Sequence, residues 1–338
     1  MKVDIFAPQQ TEIVSGLQAQ KIMLYGDSDT GKTFQSTRLP KPMLLMAESG
    51  GNSRSCPKFP ITSWDDFTVI VKQLTSDYDK ASKVYQTVII DVVEELVARA
   101  EEKVALRYGV LEVGMVQKAS DGNPNGYMVA RAMFKKQINL LTMFGYTVVF
   151  LSHGQKVEAT DELTGEVYSR VIPYGSDKEK GSTKFVRNLC DFVFFLKAQG
   201  IDAESGNTIY SKALCKETRG AFARSRYAIQ TFIEPFTAEN LMTAIEKAIE
   251  QSAKDENVGL KEFKISNNAM TKEDYFDLIR PYCAKLFKLY PSYVNETIEE
   301  QLGVGKKITN ATDDEITELG NIYNEFVSFS CDRGIVIE

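Results

Sequence analysis

Gly26-Asp27-Ser28-Asp29-Thr30-Gly31-Lys32-Thr33 decides how this chain is read. The octapeptide has the G-x-x-x-x-G-K-[ST] spacing and follows the apolar run Ile22-Met23-Leu24-Tyr25, which reads as a buried strand. Residues able to start a helix come next. In that setting the glycines let backbone N–H groups turn inward, and with the helix N-terminus these form a concave anion site for the α- and β-phosphates of a nucleotide. Lys32 is placed to reach the β- and γ-phosphates, and the Thr33 hydroxyl to meet Mg²⁺. Gly26, Asp27, Ser28, Asp29, Thr30, Gly31, Lys32, Thr33 and Phe34 form the expected binding segment for ATP with Mg²⁺.

Outward from that loop, 338 residues with 43% hydrophobic and 25% charged side chains describe a soluble globular chain, long enough for a large α/β domain and an appendage. No apolar stretch approaches a membrane span and the first residues lack a signal-peptide layout, so a cytoplasmic location is expected and no membrane partner. The five cysteines are far apart and form no C-x-x-C pair, which predicts reduced thiols rather than a disulfide framework or zinc cluster. His153 is the only histidine. From Lys254 onward ten basic residues face sixteen acidic ones, so this part carries the whole formal charge of −6. That balance excludes a globally basic DNA binder but leaves room for a local basic surface on the first part.

Further apolar runs predict strands at Met43–Ala47, Thr87–Asp91, Tyr146–Leu151 and Phe192–Leu196, with Ile209–Lys216 pairing to Tyr227–Thr231 as the last of the sheet. Helices are expected after a capping box at Ser63–Asp66, over Glu94–Arg107 and Tyr127–Phe144, and after a cap at Thr237. The segment 154–184 reads as either a hairpin or a mobile loop. The character changes near Lys254, giving residues 1–253 as an ATPase core and 254–338 as an acidic helical extension. Its helices are expected to start at Thr271–Asp274, stopping at Pro291, and at Thr312–Glu315, ending near Gly334.

An α/β sheet binds ligands at the carboxyl ends of its strands. Asp91 closes the third predicted strand and reads as the second Mg²⁺-associated residue beside Thr33. Glu48 closes the second and is the candidate to polarise an attacking water; Glu94 and Glu95 are its rivals, read here as the start of the next helix. His153 closes the fourth, where a neutral imidazole donates to the γ-phosphate and reports its loss. Lys32, Glu48, Asp91 and His153 are thus the catalytic candidates. Lys216, Arg219, Arg224 and Arg226 form a basic run that reads either as a solvated face or as a cation offered to a neighbouring subunit's phosphate.

The phosphate loop, Leu44-Leu45-Met46-Ala47-Glu48-Ser49-Gly50-Gly51, Val88-Ile89-Ile90-Asp91 and Val148-Val149-Phe150-Leu151-Ser152-His153 together resemble the phage-encoded RecA-like ATPases often labelled phage nucleotide-binding proteins. The resemblance covers roughly residues 20 to 235. It implies an α/β RecA-like P-loop NTPase core with a mostly parallel sheet in the order 5-1-4-3-2, flanked by helices, beside a small C-terminal helical region. It also implies ATP hydrolysis stimulated by single-stranded DNA in recombination or replication, in the host cytoplasm. The implied partners are further copies in an oligomer or filament and a single-strand-binding protein. DNA would meet loops at about 109–127 and 154–184, the second carrying Lys156, Arg170, Lys178, Lys180 and Lys184, with Arg187 nearby, although acidic residues match those cations in number. The competing expectations are a nucleotide-switched interaction module, such as a helicase loader or regulator, and a small-molecule kinase.

Overall fold

The computed structural model describes residues 13–48, 55–119, 122–177, 182–201, 204, 209–263, 272–312, 315–333 and 335. Two compact units divide the chain, Met1–Ile265 and Ser266–Glu338. The division falls later than the change in composition near Lys254. Its cause is the short strand Leu260–Lys261, which pairs in parallel with Ile13–Val14 and so keeps this stretch with the first unit.

The first unit is built on a ten-stranded sheet. Its principal strands are β1 (Lys21–Gly26), β2 (Pro42–Met46), β3 (Thr87–Asp91), β4 (Thr147–Thr160), β5 (Val167–Pro173), β6 (Phe192–Lys197) and β7 (Lys212–Leu214). Across the sheet the order is Phe232–Ile233, β7, β6, β1, β4, β3, β2, Lys58–Pro60. The five strands expected from the sequence lie side by side as fifth, first, fourth, third and second, and all four of these pairings are parallel. The full sheet differs from the five-strand expectation in being longer at both edges. Two further strands pair antiparallel, β5 with β4 and Arg224–Ser225 with β6. The strand expected at Tyr227–Thr231 is absent, and Phe232–Ile233 pairs with β7 in its place. Tyr227 instead stacks its ring on Phe192, with centroids 5.2 Å apart.

Strands buried on both faces explain the unbroken apolar runs. In β1, Met23 and Tyr25 pack into one layer with Phe67 and Val71 of α1 (Trp64–Ser76), Leu96 and Val97 of α2 (Val93–Arg107), and Phe134 and Ile138 of α3 (Gly126–Met143). Ile22 and Leu24 face the other layer, against Leu241, Ile245 and Ala248 of α4 (Ala238–Asp255). The caps are side-chain made. Ser63 and Asp66 complete the capping box of α1, and Thr237 accepts from Asn240 N at the start of α4.

The segment 154–177 is a hairpin rather than a loop, since β4 runs on past the sheet and pairs with β5 from Gly154↔Pro173 to Thr160↔Val167. Lys178 and Lys180 lie outside the described residues. So do Ser49, Gly50 and Gly51. The segment after α2 holds the helical turns Val113–Met115 and Val116–Ala119, anchored by buried Val113 and Val116 while Leu111, Met115 and Lys118 are exposed.

The second unit has the helices Lys272–Leu289, Pro291–Leu302 and Ile316–Asp332 around Ile279, Leu286, Val294, Leu319, Ile322 and Phe326. Pro291 does end one helix, but it also opens another, where its missing N–H costs nothing. Thr271, Asp313, Asp314 and Gly334 lie outside the described residues.

Candidate functional site

Strand register sets the site. Gly26 at the end of β1 pairs with His153 in β4, and Asp91 at the end of β3 pairs with Leu151 of β4 and Met46 of β2. The ends of β1, β3 and β2 and the point where β4 passes beyond the sheet thus bring the phosphate loop, Asp91, the residue beyond Ala47 and His153 to one edge; His153 does not close its strand as expected, since β4 continues to Thr160. Gly26 has φ 149°, and a Cβ there would stand 2.3 Å from the Leu196 carbonyl oxygen, so no side chain fits where the loop leaves the sheet. Gly154 lets β4 pass equally close: a Cβ on it would lie 3.2 Å from Gly26 Cα.

The loop closes on a short helix, Lys32–Ser36, whose Lys32 curls back over it. Lys32 Nζ donates to Gly26 O at 2.9 Å and Asp27 O at 2.7 Å, and lies 3.4 Å from Thr30 Oγ1. Burial lowers the pKa of this ammonium, and the opposing pull comes from Asp91, Asp27, Glu94 and Asp29. An arriving triphosphate would exchange those neutral carbonyl partners for charged oxygens, which form stronger charge-assisted bonds.

Thr33 Oγ1 donates to Asp91 Oδ2 at 2.9 Å, joining residues 58 apart in sequence. Burial raises the Asp91 pKa, against the Thr33 hydrogen bond and the charge of Lys32. A hydroxyl beside a partly desolvated carboxylate is a hard-oxygen set suited to Mg²⁺, which binds one or two protein oxygens plus phosphate and water. Among the described residues no group of three or more His, Cys, Asp or Glu side chains could hold a metal by itself. Thr33 and Asp91 would therefore hold the ion together with the nucleotide. Once bound, the ion neutralises phosphate charge.

Glu48 is exposed just beyond β2, and its backbone N–H points to Asp91 O at 3.4 Å. Glu94, read from sequence as a helix start, does occupy the first turn of α2 but also does more. Its Oε1 accepts from His153 N at 2.9 Å and lies 2.6 Å from His153 Nδ1, while Oε2 is buried without a hydrogen-bond partner. The Glu94 side chain is 10% exposed and that of His153 46%. With Nδ1–H committed to Glu94, Nε2 remains for another partner. The sequence held no periodic signal for this pair, because its members are 59 residues apart and meet only through sheet register.

The remaining cations lie on or beside the hairpin. Val171 N donates to Gly220 O and Phe222 N to Val171 O, both at 2.9 Å, and the Tyr25 hydroxyl donates to Val171 O at 3.1 Å. The middle of the basic run is thereby fixed against β5, while Arg224 lies on the strand that pairs with β6. Arg170 pairs with Glu217 at 2.5 Å, Arg219 with Glu166 at 2.6 Å, and Arg226 with Asp191 at 3.3 Å. Lys156 and Lys216 are exposed and Arg224 is half-buried. None of these three has an ion pair among the described residues.

A mostly parallel α/β sheet, a phosphate loop at the end of its first principal strand and a threonine–aspartate pair beside it define a P-loop nucleoside triphosphatase. Residues 18–227 match the family described as AAA domain. The chain is also 35% identical over 336 residues to the SPbeta prophage-derived uncharacterized protein YorG of Bacillus subtilis (strain 168), covering 96% of this chain and 98% of that protein. The chain belongs to the AAA domain family of P-loop ATPases.

Proposed function

We propose that this ATPase acts on single-stranded DNA in phage recombination or replication, as a RecA-like oligomer that anneals or exchanges strands with ATP between subunits. The observation that carries the reading is the continuity of β4, which runs from His153 beside the phosphate loop straight into the hairpin bearing Lys156 and Arg170. Loss of the γ-phosphate at one end of that strand then changes what the other end presents to a polyanion. In the hydrolytic step Lys32 steadies the β- and γ-phosphates, Glu48 accepts a proton from the attacking water, and His153 senses the terminal phosphate. Lys216 or Arg224 supplies the cation to a neighbour's nucleotide.

ATP hydrolysis measured with and without a single-stranded oligonucleotide tests this, together with DNA retention in the presence of ATP. Stimulation and ATP-dependent retention are expected. If neither appears, the DNA half of the proposal is wrong.

One observation favours a second reading, a nucleotide-switched protein-interaction module such as a helicase loader or regulator. Arg170, Arg219 and Arg226 are already paired with carboxylates, and a weakly charged surface binds DNA weakly. That reading predicts ATP-dependent affinity for the partner with DNA having no effect.

A further inference from the structure

A pocket of about 300 Å³ lies against the helix that begins at Lys32, beyond the phosphate loop. Phe34, Gln35 and Arg38 form one side, and Tyr210, Glu239 and Met242 help to form the rest. We infer that this pocket receives the purine base of the nucleotide whose phosphates the loop holds. The inference rests on the phosphate-loop reading and extends it to the part of the ligand that the loop does not touch.

Position supports it first. Phe34 directly follows Thr33, and Arg38 lies one helical turn further on, within roughly 10 Å of the phosphate loop at about 1.5 Å of rise per residue. A ribose spans such a gap. The volume, at the low end of ligand pockets, suits one ring system rather than a whole nucleotide.

Chemistry supports it next. The Arg38 guanidinium lies over the Phe34 ring, 3.4 Å from its centroid, and its Nη1 is fixed by Phe34 O at 2.8 Å. A guanidinium stacked on one face can stack a second flat ring on the other. Tyr210, 53% exposed, offers an aromatic surface, and Met242 is a deformable apolar wall. Glu239 is exposed and has no ion pair among the described residues, so its carboxylate is available to an exocyclic amine or ring N–H. The floor is rigid, because buried Gln35 accepts from Ala238 N at 2.9 Å and ties the start of α4 to the phosphate-loop helix.

The test uses the full chain with magnesium and compares binding of ATP, UTP and inorganic tripolyphosphate. Two variants are included, Met242→Trp to fill the pocket and Arg38→Ala to remove the exposed stacking group, with circular dichroism to confirm folding. Wild-type protein is expected to bind ATP about tenfold or more tightly than UTP or tripolyphosphate. Both variants should lose that margin while tripolyphosphate affinity stays unchanged. An ATP margin that survives in both folded variants, or that is absent from the wild type, overturns the pocket assignment. A wild-type protein that binds neither ATP nor tripolyphosphate overturns the phosphate-loop reading itself.

Discussion

His153 Nδ1 and Glu94 Oε1 stand 2.6 Å apart, and the same carboxylate oxygen takes the His153 backbone N–H at 2.9 Å. His153, the residue that pairs with Gly26, is thus held at two points, one on its ring and one on its backbone. A neutral ring that donates to Glu94 from Nδ1 has only an acceptor at Nε2, so donation to a phosphate from Nε2 requires the imidazolium. The contact with Glu94 therefore departs from the neutral-donor role expected from sequence, because it uses the one N–H that a neutral ring has. Glu94→Ala frees the ring, and turnover is expected to fall about 10- to 100-fold. ATP affinity should change less than about threefold, since the triphosphate's main contacts remain. Steady-state hydrolysis alongside direct nucleotide titration separates the two effects.

Lys32 makes its contacts with the loop that it must later give up to a ligand. Lys32→Ala therefore removes the phosphate-loop cation expected on the β- and γ-phosphates, whose contacts here are with loop oxygens. ATP affinity is expected to drop by about 100-fold, with unfolding temperature nearly unchanged in the absence of nucleotide. Calorimetric titration and a thermal melt check both parts.

Asp91 carries a pH signature. Burial raises its folded pKa above the ordinary carboxylate value near about 3.9. Below that value the group is protonated in both folded and unfolded chains and costs nothing. As pH rises through the raised folded pKa, the folded protein must ionise a partly desolvated carboxylate, and stability falls. Asp91→Asn, which can still accept from Thr33, is expected to melt a few degrees higher than wild type at pH 7 without nucleotide, with the gap closing toward pH 4. The same variant should lose the magnesium-dependent part of ATP stabilisation. Melting curves from pH 4 to 8, with and without MgATP, provide the comparison.

Gly26→Ala tests the fit of the loop to the sheet. Its Cβ would meet the Leu196 carbonyl oxygen at 2.3 Å, and backbone cannot yield as a side chain can. A cost of about 3 kcal/mol or more is expected, seen as a lowered urea midpoint.

Much of the fold was legible because strands covered on both faces leave unbroken apolar runs, as Ile22–Tyr25 and Val148–Leu151 do, and because a phosphate loop carries its own spacing. The Thr33–Asp91 contact could be anticipated from the same motif. What escaped detection is spatial. Glu94 looked like an acidic helix start because its partner is supplied by another strand. The short helix Pro291–Leu302 was hidden behind a proline that reads equally well as a stop. At Tyr227 an aromatic residue in an apolar stretch suggested a strand, but its ring is used to cover Phe192. The ion pairs of Arg170 and Arg219 likewise depend on a hairpin that brings Glu217 and Glu166 alongside.

β4 is one continuous strand whose first six residues are buried and whose remainder pairs with β5 outside that core. The seven residue steps from His153 to Thr160 extend roughly 23 Å. A tilt of about 10° imposed at the imidazole therefore sweeps the far end through about 4 Å, more than the length of a bond lost from the nucleotide. On the proposed reading β4 would act as a gear, a small displacement at the pivot becoming a large one at the pointer.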